Sequence, residues 1–217
     1  MNVPAVVFLT VLSSILILDK YAIGEFGLSQ PVIAGAIIGW LCGDLRTGIL
    51  IGSVFQLIFL GGLPIGRDIP PDGPGAGMVA VGAYYLLRPG HPYETSLIVA
   101  AVLGLFASIA GGALEIMIRR NNEKLYHLFV RHENRFAVVH LGGVATAFVR
   151  GIMLFLPFYA IAALITRPFY IPAAAPDLLV VIALSVGLAN AGYLFFKKRT
   201  IIYVLIGGLC GLALFVL

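Results

Sequence analysis

An all-α membrane protein that crosses the bilayer many times is the fold class this sequence predicts, and three observations predict it. Of its 217 residues, 60% are hydrophobic and only 11% are charged, against about a quarter charged in a soluble domain. The mean hydropathy is +1.04. The apolar residues fall in runs near the length of a spanning helix, about 17–25 residues. After loops, the chain accommodates about six to eight such segments in a single membrane domain, residues 1–217. The same composition excludes a soluble domain, a disordered chain and a nucleic-acid binder, and makes the lipid bilayer the first partner.

The first run, Val3–Leu18, stops at Asp19-Lys20. It has the length of a signal peptide but neither a basic start nor a small-x-small cleavage site, so it reads as a membrane segment. Pro31–Leu45 and Gly48–Ile65 follow, parted by Arg46-Thr47. A Pro/Gly-rich stretch, Gly61–Gly77, overlaps Gly48–Ile65 and leads into Met78–Leu87, which is too short to span. Ser96–Met117 is long enough. A charged connector, residues 119–135, precedes Phe136–Ile165, and Leu178–Phe196 and Thr200–Leu217 close the sequence.

Charge sets the orientation. Basic residues gather in the connector (Arg119, Arg120, Lys124, Arg131, Arg135) and at Lys197-Lys198-Arg199. Lys and Arg are enriched on the cytoplasmic side of membrane proteins. Two spans separate the clusters, so both face the cytoplasm and the loop Arg167–Asp177 faces outward. Arg46 and Arg88 are single charges and leave the orientation of the first third open. Cys42 and Cys210 lie in apolar runs without CxxC spacing and read as small packing residues.

Residues 31–87 break the spanning rule repeatedly. The apolar runs there are 15, 18 and 10 residues. At about 1.5 Å per residue the first reaches roughly 22 Å, short of a hydrocarbon core of about 30 Å. Such segments are re-entrant or broken helices wherever protein or a wet cavity satisfies the freed backbone groups. In transporters they point to the substrate site; tilted or mismatched spans are the plainer reading. Gly35, Gly39, Gly43, Gly48 and Gly52, and later Gly207 and Gly211, lie at near-helical spacing, which brings backbones close within or between chains.

The polar groups in this stretch carry the chemistry. Gln56 sits in the apolar sequence Val54–Phe59, so its amide needs a helix partner or a ligand. Arg67, Asp68 and Asp72 occupy the proline-rich loop. Charges within the membrane are costly and functional by default; at the surface they mean little, and Arg67 and Asp68 also neutralise one another. Further on, Arg150 either snorkels to an interface or pairs with an acidic group such as Glu115. His140 reads as a hydrogen-bonded interface histidine. His91, His127 and His132 have no metal-binding company, and no cofactor or metal is expected. No GxSxG, HExxH or GxxxxGKS/T motif is present, so self-contained catalysis is not expected.

Four motifs in order carry a family resemblance: Pro31-x-x-x-Gly35, Gly43-Asp44-x-x-Thr47-Gly48, Gln56-x-x-x-Leu60-Gly61 and Ile65-Gly66-x-x-x-Pro70-Pro71-Asp72. This stretch resembles the IIC membrane subunit of the mannose/sorbose class of the bacterial phosphotransferase system. His140 and Arg150 keep a ten-residue His-to-Arg spacing like the family's, while the last 40 residues match only in hydrophobic character. The resemblance implies an elevator-type core in the bacterial inner membrane, paired with a IID membrane subunit as a trimer of heterodimers. A sugar is carried across and phosphorylated on arrival by soluble IIA and IIB phosphocarriers. It further implies Gln56 and Asp72 as partners for sugar hydroxyls, with Gln30, Asp68 and Arg67 as further substrate-site positions. Asp44, His140 and Arg150 are implied as structural or partner-contact residues, Asp44 equally as a helix cap with Thr47. Arg67 and Asp68 stand where family members typically carry small residues, which admits an acidic or amino sugar. The shorter length suggests a compact variant or one uncoupled from phosphorylation. The competing expectations are a substrate-capturing subunit of an ATP-driven vitamin importer, an uncoupled sugar facilitator and a structural scaffold.

Overall fold

Residues 2–60, 71–131, 136–167, 170 and 175–195 are described by a computed structural model. Arg67, Asp68, Cys210, His132, Gly207, Gly211, the cluster Lys197–Arg199 and the expected last span lie outside the described residues. Seven α-helices are found among those described: α1 (Val3–Leu16), α2 (Pro31–Leu41), α3 (Leu45–Ile58), α4 (Gly73–Leu87), α5 (Tyr93–Arg131), α6 (Phe136–Leu164) and α7 (Ala175–Phe195). A π-helical turn, Asp19–Ile23, extends α1. Three stretches are long and apolar enough to cross a membrane: Val3–Ile23, Tyr93–His127 and Ala137–Leu164.

Polarity is distributed as lipid demands. On α1, Val3, Val7, Phe8, Val11 and Ile15 are exposed, while Thr10, Ser13 and Ser14 are buried. The small polar side chains face the protein interior, where Thr10 and Ser13 find partners and the Ser14 hydroxyl has none among the described residues. Thr10 Oγ1 donates to the Val6 carbonyl at 2.7 Å. Ser13 Oγ lies 2.7 Å from the Tyr159 hydroxyl, which also donates to the Met78 carbonyl at 2.9 Å. These bonds tie α1 and α6 to α4.

Helices α2 and α3 form a hairpin whose seam is backbone on backbone. A Cβ added at Gly39 would lie 2.9 Å from the Gly48 Cα, and one at Gly52 would lie 2.9 Å from the Val32 Cα. The glycine spacing thus serves packing within the chain. At 11 and 14 residues, the two helices are about 16 and 21 Å long, each short of a hydrocarbon core. The expected run to Leu45 ends sooner because Gly43 turns the chain at φ +84° and Asp44 restarts it, accepting from the Thr47 N–H at 3.1 Å. Cys42 is exposed at this turn and does not fill the packing role expected of it.

Helix α4 is the axis. Apart from half-buried Pro74, every residue from Gly73 to Tyr84 is buried, as expected of a helix apolar on all sides. It begins five residues before the apolar run at Met78. Asp72 caps it, Pro74 stands in its first turn, and its glycines are sites of close approach rather than breakers: a Cβ at Gly77 would lie 2.7 Å from Pro31. The charged connector also differs from expectation, since α5 continues through it to Arg131. No Gly or Pro interrupts residues 113–131, and the i,i+4 pair Glu115–Arg119 at 3.4 Å supports the helix there.

Candidate functional site

One cavity of about 570 Å³ opens beside the N-terminus of α4, where the π-helical turn, the start of α2, the end of α3 and the middle of α5 meet. Its keystone is Asp72. The carboxylate caps α4 through the Gly75 N–H at 3.3 Å, receives Lys20 Nζ at 3.2 Å, and accepts from Arg150 Nη2. The Asp72 N–H donates to the Ser108 carbonyl at 3.0 Å, which fixes the cap against α5. Side chains at Gly75 or Gly111 would occupy the space of this carboxylate: added Cβ atoms lie 2.5 and 2.7 Å from Asp72 Oδ2.

Arg150 is fully buried. Besides Asp72 it donates to the Gly111 carbonyl at 3.0 Å, and the Tyr21 ring lies 4.8 Å from the guanidinium carbon. A cation over an aromatic face is attracted by the ring quadrupole, so Tyr21 offsets part of the desolvation. Nε and Nη1 have no acceptor among the described residues. The expected pairing with Glu115 is therefore corrected: Arg150 takes Asp72, and Glu115 takes the Tyr21 hydroxyl and Arg119, with Lys20 at 4.0 Å. Snorkelling is excluded by the burial.

The second half of the site is an amide pair. Gln56, near the end of α3, donates through Nε2 to Gln30 Oε1 at 2.7 Å. Both line the cavity, and Gln56 Oε1 is buried without a donor among the described residues. The two ends of the hairpin thus return to the same level and meet there.

A wall of the cavity is organised by Asp19, itself buried. Its carboxylate accepts from the backbone N–H of Phe26 at 2.7 Å, of Gly27 at 3.0 Å and of Ser29 at 3.0 Å, and from the Ser29 hydroxyl at 3.1 Å. Gly27 takes φ +98°, a backbone that suits glycine. Four bonds to one carboxylate fold the loop that leads into Gln30.

Of the residues singled out from sequence, Gln30, Gln56 and Asp72 share the cavity, and Arg150 joins through Asp72. Asp44 does not: it caps α3 at the far end, about 20 Å away by the helix rise, where its carbonyl also accepts from the Tyr85 hydroxyl at 2.6 Å. His140 lies ten residues before Arg150 on α6, about 15 Å along the axis, exposed beside a separate groove with Asn122 and Tyr126. Sequence reasoning missed Asp19, Lys20 and Tyr21. The available signal was a pair of opposite charges followed by an aromatic at the end of an apolar run.

The sequence profile of the family described as the phosphotransferase-system (PTS) sorbose-specific IIC component matches residues 4–214. The chain belongs to this family. Among curated relatives of this IIC chain, the sorbose-specific EIIC component of Klebsiella pneumoniae is 29% identical over 135 residues, 61% of this chain and 48% of that protein. The mannose-specific EIIC component of Escherichia coli K12 is 33% identical over 95 residues, 44% of this chain and 34% of that protein. The match thus spans half of those relatives' length or less. Among solved structures, one described as a membrane protein superimposes with a TM-score of 0.70 at 20% identity, covering 97% of this chain and 87% of that one. The mannose transporter ManYZ in complex with microcin E492 gives a TM-score of 0.57 at 19% identity over the same shares. These likenesses establish the fold of the IIC chain as that of a multi-pass α-helical membrane protein.

Proposed function

We propose that this IIC-family chain is the sugar-translocating subunit of a phosphoenolpyruvate-dependent phosphotransferase system in the bacterial inner membrane, with the 570 Å³ cavity as its sugar site. The volume falls within the roughly 300–1,000 Å³ of small-molecule sites. The observation that carries the reading is the convergence of an amide pair and an ion network on one cavity in the helical core. Amides offer donors and acceptors side by side, which suits the adjacent hydroxyls of a sugar ring. Gln30 and Gln56 orient the ring. Asp72 acts through what it holds in place: the cap of α4, Lys20 and Arg150. The family resemblance adds Arg67 and Asp68, which lie outside the described residues, as substrate-site positions that extend the cargo to acidic or amino sugars.

Translocation follows from the same architecture. The hairpin α2–α3 (residues 31–58) and α4 carry the site together, so the region 31–87 forms the moving core of an elevator. The connector residues 119–135 lie on the cytoplasmic side, where IIA and IIB phosphocarriers work. A IID membrane subunit is the partner, in a trimer of heterodimers, and exposed His140 belongs to a partner contact. Phosphorylation on arrival makes uptake one-way, because the phosphorylated product does not fit the route by which the unmodified sugar entered.

Uptake tests the proposal. Membrane vesicles carrying the chain with IID, IIA and IIB accumulate sugar phosphate only when phosphoenolpyruvate is supplied. Accumulation of unmodified sugar would make the chain a facilitator instead. Gln56→Ala weakens sugar binding by about tenfold, the worth of a hydrogen bond in a dry site, and leaves the thermal midpoint unchanged. Wild-type affinity in that variant refutes the site.

A further inference from the structure

Among the described residues, the ion network of Lys20, Asp72, Glu115, Arg119 and Arg150 holds one more cation than carboxylates. Asp72 is matched by Arg150, which is fully buried and contacts it directly. Glu115 is matched by Arg119 at 3.4 Å and also accepts from the Tyr21 hydroxyl. Lys20 stands between these satisfied pairs, 3.2 Å from Asp72 and 4.0 Å from Glu115. Its side chain is 28% exposed and lines the cavity. An ammonium has three donors, and among the described residues one is committed, to Asp72.

The backbone presents Lys20 deliberately. It lies in the π-helical turn Asp19–Ile23, and such turns insert a residue into a helix and recur at functional sites. Asp19 before it points into the loop 26–29. Tyr21 after it is fixed by Glu115 and lies under the Lys20 ammonium, whose nitrogen is 4.9 Å from the ring centroid. With both neighbours anchored, the ammonium is held at the cavity wall. Its stem is flexible, but its position is set from three sides.

The geometry points to Lys20 as a substrate-contacting, specificity-determining residue: its remaining ammonium donors hydrogen-bond one hydroxyl of the bound sugar in the cavity it shares with the Gln30–Gln56 amides. This rests on the sugar-site reading above. Asp72 and Glu115 then keep the ammonium aimed, and the amides of the same cavity set the ring.

A cycle of binding measurements on the full chain in detergent or nanodiscs decides it, with mannose, sorbose, fructose and N-acetylgalactosamine screened first and the monodeoxy analogues of the one that binds as probes. In the wild type, the analogue lacking the contacted hydroxyl binds about tenfold more weakly, the worth of a charge-assisted hydrogen bond. Lys20→Met loses about as much for the parent sugar, yet binds that analogue and the parent equally. Lys20→Arg, which keeps a cationic donor, restores part of the discrimination. If the deoxy penalties at all positions are the same in Lys20→Met as in the wild type, Lys20 is a structural bridge and the inference is overturned. Should Lys20→Met fail to accumulate, Lys20→Gln runs the same cycle. Wild-type chain that binds no sugar would instead overturn the transport reading, so the two failures are distinct.

Discussion

At the residue scale, the site depends on a buried pair. Removing one member of a buried ion pair strands the other charge and costs about 3–5 kcal/mol. Arg150→Met and Asp72→Asn are each expected to lower the thermal midpoint sharply; the Asn amide oxygen still caps α4 at Gly75, so the Asp72→Asn loss comes from the ion pair. The double variant Asp72→Asn, Arg150→Met is expected to lose less than the sum of the two, since neither member of the buried pair is then stranded. Additive losses in the double variant, read by thermal denaturation in detergent, would show that the two residues act separately. Sequence alone named both residues but not their pairing. They stand 78 positions apart, and nothing local distinguishes Asp72 from Glu115 as the partner. Gln56 was legible because an amide inside an apolar run demands an explanation. Lys20 was not, because a charge at the end of such a run is ordinary.

At the scale of elements, glycine spacing proved more readable than helix ends. The spacing of Gly35, Gly39, Gly48 and Gly52 signalled close approach, and the seam of α2 and α3 realises it, while Gly43 turns the chain between them. Gly48→Ala pushes a methyl into the backbone of α2 at Gly35 and Gly39, and overpacking of this kind costs about 1–3 kcal/mol. Gly143, inside α6, has nothing within 4 Å of an added Cβ, so Gly143→Ala is expected to stabilise by about 0.5–1 kcal/mol through helix propensity. Opposite shifts of the thermal midpoint for the same substitution check both. Equal shifts would mean that the seam is not as described. Helix limits were harder to read. The start of α4 lay hidden in a Pro/Gly-rich stretch, since Pro74 in the first turn and glycines at contacts look like loop from composition. The end of α5 was hidden by its charges, which mark solvent exposure as readily as a turn.

At the scale of the molecule, the elements share one direction of travel. The N-terminus of α1, the hairpin turn at Cys42–Asp44 and the end of α4 line one groove with Phe8, Tyr85 and Pro89, and His91 Nε2 lies 3.1 Å from the Arg167 carbonyl, joining the α4–α5 turn to the loop after α6. The connector end of α5 is opposite. With the basic residues inside, the groove end faces out. In a background with Cys42 and Cys210 changed to Ser, Lys124→Cys is expected to react with an impermeant thiol reagent only from the cytoplasmic side, and Gly90→Cys only from the outer side. Labelling of both from one side would break the orientation. Polarity inverted relative to a soluble domain made this scale legible from composition, whereas the convergence of four segments on one cavity is a tertiary fact that no run of residues announces.

Asp72 serves at once as helix cap, counter-ion and anchor for groups from two other segments. A lineage of such chains drifting toward a new cargo would find that position closed to a single exchange, since a change there alone strands Arg150 before it alters recognition. On the sugar-site proposal above, selectivity is rewritten at the perimeter instead, at Lys20, Gln30 and Gln56.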